Sequence, residues 1–220
     1  MTDLQRTANV RETASPVAGY VSVASVIVFL ILLVVLYFLE PEFNPPHVIS
    51  EYQLGRFGWL MSLAFFCLGS GSLFLARALW PDLRTQGGRF GLAWLLLIGA
   101  AYFSAGIFAP NPASIIESRL HGLSGIVVIL SSPIVFTLLS RSLVQTERWS
   151  GVSRLLKWAT LLVWLGLLSF WVSIAIFRGT AHGSGTIAIG WTNRLMMATY
   201  CTWLATIAWQ AIKLSRLENR

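Results

Sequence analysis

The sequence predicts an all-α protein, a bundle of six transmembrane helices with both termini in the cytoplasm. Three observations lead there. Only 11% of the 220 residues are charged while 55% are hydrophobic, and the mean hydropathy is +0.68. A soluble domain carries about a quarter of its residues as charges. So much apolar surface is stable facing lipid, where its exposure costs nothing. Six apolar stretches follow one another, each near the roughly 20 residues needed to cross about 30 Å of hydrocarbon. The positive residues gather in alternate connections, as orientation in a bilayer requires.

The first span is predicted over residues 18–39, rich in Val, Ile and Leu and free of charge. A polar tail, residues 1–17, precedes it. With Asp3, Glu12 and an apolar run longer than a signal sequence allows, it reads as a retained tail. The second span covers 57–79, where Gly69, Ser72 and Ala76 share a helical face. The third covers 90–108, with Ala100 and Ser104, then Ala101 and Ala105, at the same spacing. Small residues at that spacing let helices approach closely in lipid. The fourth covers 121–143; Pro133 lacks an N–H and crowds the turn before it, so a kink is expected. The fifth covers 155–177. The sixth covers 187–214, contains Arg194 and leaves 215–220 as a second tail. The alternation that marks membrane strands is absent, which excludes a β-barrel.

Twelve Lys and Arg residues fall in the two tails, in the connections after spans two and four, or at the span ends beside them, the last being Arg77, Arg141, Lys157 and Lys213. The opposite connections hold only Arg56, Arg119 and Arg178. The net charge of +7 is thus read as orientation. No basic stripe or recognition motif accompanies it, so no nucleic-acid partner is expected. Cys67 and Cys201 sit inside apolar stretches, as free thiols do, and no Cys/His spacing suggests a metal. No cofactor is expected. The run Gly69-Ser70-Gly71-Ser72 lacks the lysine of a phosphate loop.

Chemistry-bearing residues collect at the outer ends of the spans. His47, His121 and His182 all fall there, with Glu51, Asn111, Glu117, Arg119, Asn193 and Arg194 around them. Pro110 and Pro112 push the residues before them out of helical geometry and end span three. Span four is then expected to open at His121, with Ser124 at i+3 on the same face. The unpaired N–H groups of a helix start would hold an anion there. Arg194 lies about a turn and a half inside span six, where a charge must pair, snorkel or meet water. Glu117 and Glu51 are its expected partners. A purely structural role for these groups stands beside the site role.

At these residues the chain resembles the prokaryotic six-helix membrane proteins catalogued as domain of unknown function 998. The resemblance is carried by Ile49-Ser50-Glu51 with Leu54-Gly55, and by the small-residue second span. It continues through Gly106-Ile107-Phe108 with Pro110-Asn111-Pro112, leading to His121-Gly122, and ends on Asn193-Arg194. Asn111 stands where the family often has aspartate, so no acid role is read there. The resemblance implies a prokaryotic cytoplasmic (inner) membrane but supplies no mechanism. A looser likeness is to six-helix membrane hydrolases that cleave lipid esters. In that likeness Ser50 or Ser124 is the nucleophile and His121 the base, and Arg194 steadies an anion.

Two functions from different classes follow. One is binding or processing of a lipid or small amphiphile at the outer polar site, with membrane lipids as partners. The other is a non-catalytic accessory subunit, with other membrane subunits as partners and the polar residues only tying helix ends together. Transport ranks lower because no repeat relates the two halves and no charge sits at mid-span. Haem binding ranks lower still, since no two histidines face one another across the membrane.

Overall fold

In the computed structural model of the protein, residues 16–177 and 184–218 are described. His182, Arg178, Arg220 and most of the first tail lie outside them. The described residues form six long helices joined by short connections, with no strand among them. The helices are α1 (Pro16–Leu39), α2 (Gly58–Leu79), α3 (Gln86–Ile107), α4 (Ile115–Val144), α5 (Ser153–Phe177) and α6 (Ser184–Glu218). Each packs on the next in the chain, and α6 returns to lie against α1, closing a ring. One single-turn helix, Glu147–Ser150, sits between α4 and α5, and two short 3-10 turns, Pro41–Phe43 and Ile49–Leu54, sit between α1 and α2.

Helices α1 to α5 are long and apolar enough to cross a membrane. The chain is thus a multi-pass integral membrane protein whose outer surface touches lipid. The predicted spans fall within these helices, give or take a few residues at their ends. α6 is the longest, at 35 residues, yet it does not join α1 to α5 on the apolar measure. The reason is its position. Met196, Tyr200, Trp203, Ile207 and Ala211 recur on one face and are buried, so polar groups on α6 find partners inside the bundle. Trp203 stacks on Phe136 at 4.0 Å between ring centroids, and its indole N–H donates to Ser140 Oγ at 3.2 Å. α1 is the opposite case. Its best window has a mean hydropathy of 3.0 and is only 22% buried.

The small residues act as packing positions. A side chain at Gly69 would lie 2.9 Å from the Phe103 ring and 3.0 Å from Gly99 O, so α2 and α3 come together through that glycine. Ala101 and Ala105 are buried, whereas Ala100 faces outward. Pro133 lies inside a continuous α4. Proline offers no N–H to the carbonyl four residues back, which leaves Ile129 O unpaired within the helix. The Tyr200 hydroxyl donates to that oxygen at 2.8 Å.

The basic end of the bundle is tied by a network that the sequence reading missed. Asp82 accepts two hydrogen bonds from Arg148 Nη1, one to each oxygen at 2.9 Å. Trp149 Nε1 donates to the same carboxylate at 2.9 Å, and Arg148 Nη2 reaches Ser215 Oγ at 2.9 Å. This joins the α2–α3 and α4–α5 connections to the end of α6.

One expected boundary is corrected. α4 opens at Ile115, six residues before His121. Ser114 caps it, accepting from Glu117 N–H at 3.4 Å. Ser114-Ile115-Ile116-Glu117 has the Ser-x-x-Glu spacing that starts helices, a signal the apolar-run count passed over. The free N–H groups of the helix start therefore lie at Ser114, and His121 sits nearly two turns inside with none to offer an anion.

Candidate functional site

The end opposite the basic one is organised by the segment from Glu40 to Phe57, which crosses the ends of α2 and α6. Glu40 is buried, and its carboxylate accepts from Phe57 N–H at the start of α2, where the helix dipole favours negative charge. Gln53 ties the segment to α2 and α3, donating to Ser62 Oγ at 3.0 Å and Ala105 O at 2.9 Å. The segment also passes close against α6. A side chain at Gly190 would lie 2.9 Å from Pro46 O and His47 O, so only glycine lets the backbone pass there.

Arg194, one turn beyond Gly190, clamps this crossing. Its Nη1 donates to His47 O at 2.7 Å and Gly190 O at 3.1 Å. Nη2 donates to Phe43 O and to the Tyr52 hydroxyl, both at 3.1 Å, and the guanidinium lies 5.5 Å from the Tyr52 ring centroid. Tyr52 passes the chain on to Asn44 Oδ1 at 2.6 Å. The expected carboxylate partners are thus corrected to neutral oxygens. Glu51 is taken by His47, four residues back and just before the Ile49–Leu54 turn. Glu117 accepts from Asn111 Nδ2 at 3.2 Å in the α3–α4 connection.

Beneath the crossing lies a cavity of about 70 Å³. Ser50, His121, Ser124 and Asn193 supply most of its polar lining, with Phe65 and Met196 among its apolar walls. His121 and Ser124 share one face of α4, as their spacing predicts. His121 Nδ1 lies 2.8 Å from Phe108 O. A carbonyl can only accept, so Nδ1 carries a proton, and the tautomer this selects has its lone pair on Nε2. Asn193 Oδ1 accepts from Ile49 N–H at 3.0 Å, which fixes the amide so that its NH₂ is available. Ser124 Oγ is 2.8 Å from both Ser104 Oγ and Leu120 O and is committed to helix packing. Ser50 is half-buried and makes no hydrogen bond among the described residues.

The structure therefore brings together Ser50, His121, Ser124 and Asn193, and leaves Glu51, Asn111, Glu117 and Arg119 outside the cavity. Arg119 is exposed. Arg194 lines a second recess, an apolar groove of about 380 Å³ between α1 and α6. Leu33, Val34, Tyr37 and Phe38 form one wall, Trp191 and Ala198 the other, and Tyr52 with Arg194 stands at the polar end. Ile49 lines both recesses. No group of three His, Cys, Asp or Glu residues able to hold a metal ion occurs among the described residues. Sequence reasoning missed Glu40, Tyr52, Gln53 and Gly190. The acid and glutamine beside an apolar run were the available signal for the first and third of these.

These features define a class: a multi-pass membrane protein with a small polar cavity next to a groove that opens between two helices. The chain belongs to the family described as "Protein of unknown function (DUF998)", which matches residues 23–210. It is also similar to a mouse (Mus musculus) protein named G-protein coupled receptor 157, with 29% identity over 157 residues. That match covers 69% of this chain and 47% of the mouse protein, so the chain spans about half the length of this curated relative. No solved structure matches.

Proposed function

We propose that the protein crosses the membrane six times with both termini in the cytoplasm, and binds an amphiphile with one anionic head at its outer end. A prokaryotic inner membrane suits this reading. The observation that carries it is the Arg194 guanidinium lining an apolar groove of about 380 Å³. Its four hydrogen bonds all end on neutral oxygens, so its charge has no counter-ion among the described residues. An apolar chain between α1 and α6 with a carboxylate or phosphate beside Arg194 complements both features.

In the processing form of this proposal, Ser50 and His121 supply the chemistry. His121 Nε2 takes the hydroxyl proton as Ser50 Oγ attacks an ester carbonyl, then gives it to the departing alkoxide, and water releases the acyl group from the serine. The Asn193 NH₂ steadies the oxyanion. Ser50 is preferred to Ser124 because Ser124 is already held by Ser104 and Leu120. The cavity holds a head group but not a lipid tail, which places the tail in the adjoining groove.

A photoactivatable fatty acid added to membranes containing the full chain tests the binding. Labelled peptides should come from the outer halves of α1 and α6, and Ala198→Trp, which fills the groove without touching the Arg194 clamp, should lose them. Labelling spread over every exposed apolar helix face, unchanged in that variant, would refute it. Capture of Ser50 by a serine-reactive phosphonate, abolished in Ser50→Ala and in His121→Ala, tests the processing form.

A second reading, an accessory subunit of a larger membrane complex, is favoured by α1, most of whose apolar window is uncovered. Cross-linking from Ile31 or Val34 to another protein, with no amphiphile bound, would select it. The likeness to a chain named as a receptor covers less than half of that protein, and no signalling role is proposed from it.

A further inference from the structure

At the basic end, α4 and α5 meet over a shorter stretch than the other neighbouring pairs and leave a cleft of about 360 Å³. Arg141 and Gln145 line it from the end of α4, and Lys157 from the start of α5. These three side chains are exposed and make no hydrogen bond or ion pair among the described residues. The hydroxyls in the cleft are already used. Ser140 Oγ and Thr160 Oγ1 are 2.9 Å apart, and Thr137 donates to Pro133 O at 2.7 Å while accepting from Trp164 Nε1 at 2.9 Å. No carboxylate lines the cleft. Two uncompensated cations and a free amide therefore face one recess that has no anion of its own.

We infer that this cleft binds the phosphate of an anionic membrane phospholipid, at a site separate from the outer groove. The location selects a lipid over a soluble anion. The cleft sits where two membrane-crossing helices reach the interface, Leu156 and Val144 make part of its wall apolar, and the Thr137–Trp164 bond closes the seam one turn deeper. Trp158 is exposed near the start of α5, where indoles sit at head-group depth. Each cation at an anionic surface is worth about fivefold in lipid preference, and two together about thirty-fold.

The test is native mass spectrometry of the full chain in neutral detergent, titrated with phosphatidylglycerol and, separately, with phosphatidylcholine. One phosphatidylglycerol should be retained preferentially. Arg141→Gln with Lys157→Gln should remove most of that preference, and Arg141→Lys should keep it. Arg84→Gln with Arg89→Gln removes the same charge from the same end, at exposed positions outside the cleft, and should leave the preference intact. Equal loss in both double variants would overturn the site in favour of diffuse charge. Displacement of the lipid by excess inorganic phosphate would overturn the lipid assignment. Equal retention of the two lipids by the wild type would overturn both.

Discussion

Removing the Tyr200 hydroxyl probes whether proline and tyrosine on different helices form a unit. Pro133 withholds the N–H that Ile129 O would otherwise accept, and Tyr200 OH replaces it at 2.8 Å from a fully buried position. Tyr200→Phe leaves that carbonyl orphaned. In proteins generally such a group costs about 1–3 kcal/mol, and measured side-chain hydrogen bonds inside membranes average about 0.6 with a ceiling near 1.7. The two ranges overlap at about 1–1.5 kcal/mol, which is the expected destabilisation. In a Pro133→Ala background the new N–H satisfies Ile129 O within α4, so Tyr200→Phe should there cost under about 0.5 kcal/mol. The void left by the missing oxygen is common to both backgrounds and cancels in the cycle, leaving a coupling near 1 kcal/mol. Equilibrium unfolding of the four proteins in mixed micelles measures it. An equal cost of Tyr200→Phe in both backgrounds would refute the reasoning, because Ile129 O would then need no substitute donor.

Further outcomes follow from the two ends of the bundle. Gly190→Ala should cost about 1–3 kcal/mol, since the atoms it meets at 2.9 Å belong to the backbone of Pro46 and His47. It should also speed hydrogen exchange at the Ile49 amide, and unchanged protection there would remove the close approach from the argument. Asp82→Ala takes partners from Arg148 and from the fully buried Trp149. It should destabilise by about 3 kcal/mol, read as a lower midpoint of thermal unfolding; a change within about 0.5 kcal/mol would mark the network as dispensable. Asn193→Leu removes the acceptor of Ile49 N–H and should release the Ile49–Leu54 turn. Proteolysis near Leu54 in open vesicles would show this, and a resistant segment would not fit.

The helices were legible because hydrocarbon leaves few alternatives. An apolar run of this length must pair its own backbone, and α1 to α5 follow the predicted runs closely. Errors came where a polar signal overrode the apolar one. The start of α4 was placed at His121 by the end of its apolar stretch, although the Ser114/Glu117 pair begins the helix two turns earlier. α6 was found despite its polar content, and the structure gives the reason for that content: Tyr200 and Trp203 donate to oxygens of α4. The Asp82 network was out of reach, since nothing local relates residue 82 to residues 148 and 215.

The candidate site was legible in composition but not in pairing. Matching Arg194 with Glu51 or Glu117 assumed that a buried cation seeks the nearest carboxylate. Each of those acids has a closer local partner, His47 four residues before Glu51 and Asn111 six residues before Glu117, and forming those pairs orders little extra chain. Arg194 then meets what the crossing segment offers in quantity, backbone carbonyl oxygens such as those of Phe43 and His47. This arrangement orders the segment without neutralising the charge, and the two effects belong to different links in the chain from sequence to function. Order at Phe43, His47 and Tyr52 follows from the planar fork of the guanidinium. The remaining positive charge, set against Tyr37, Trp191 and the apolar wall of the groove, is what an anionic head group would recognise. A site serving structure alone would be satisfied by the clamp and would gain nothing from an open apolar groove on the charged side of it.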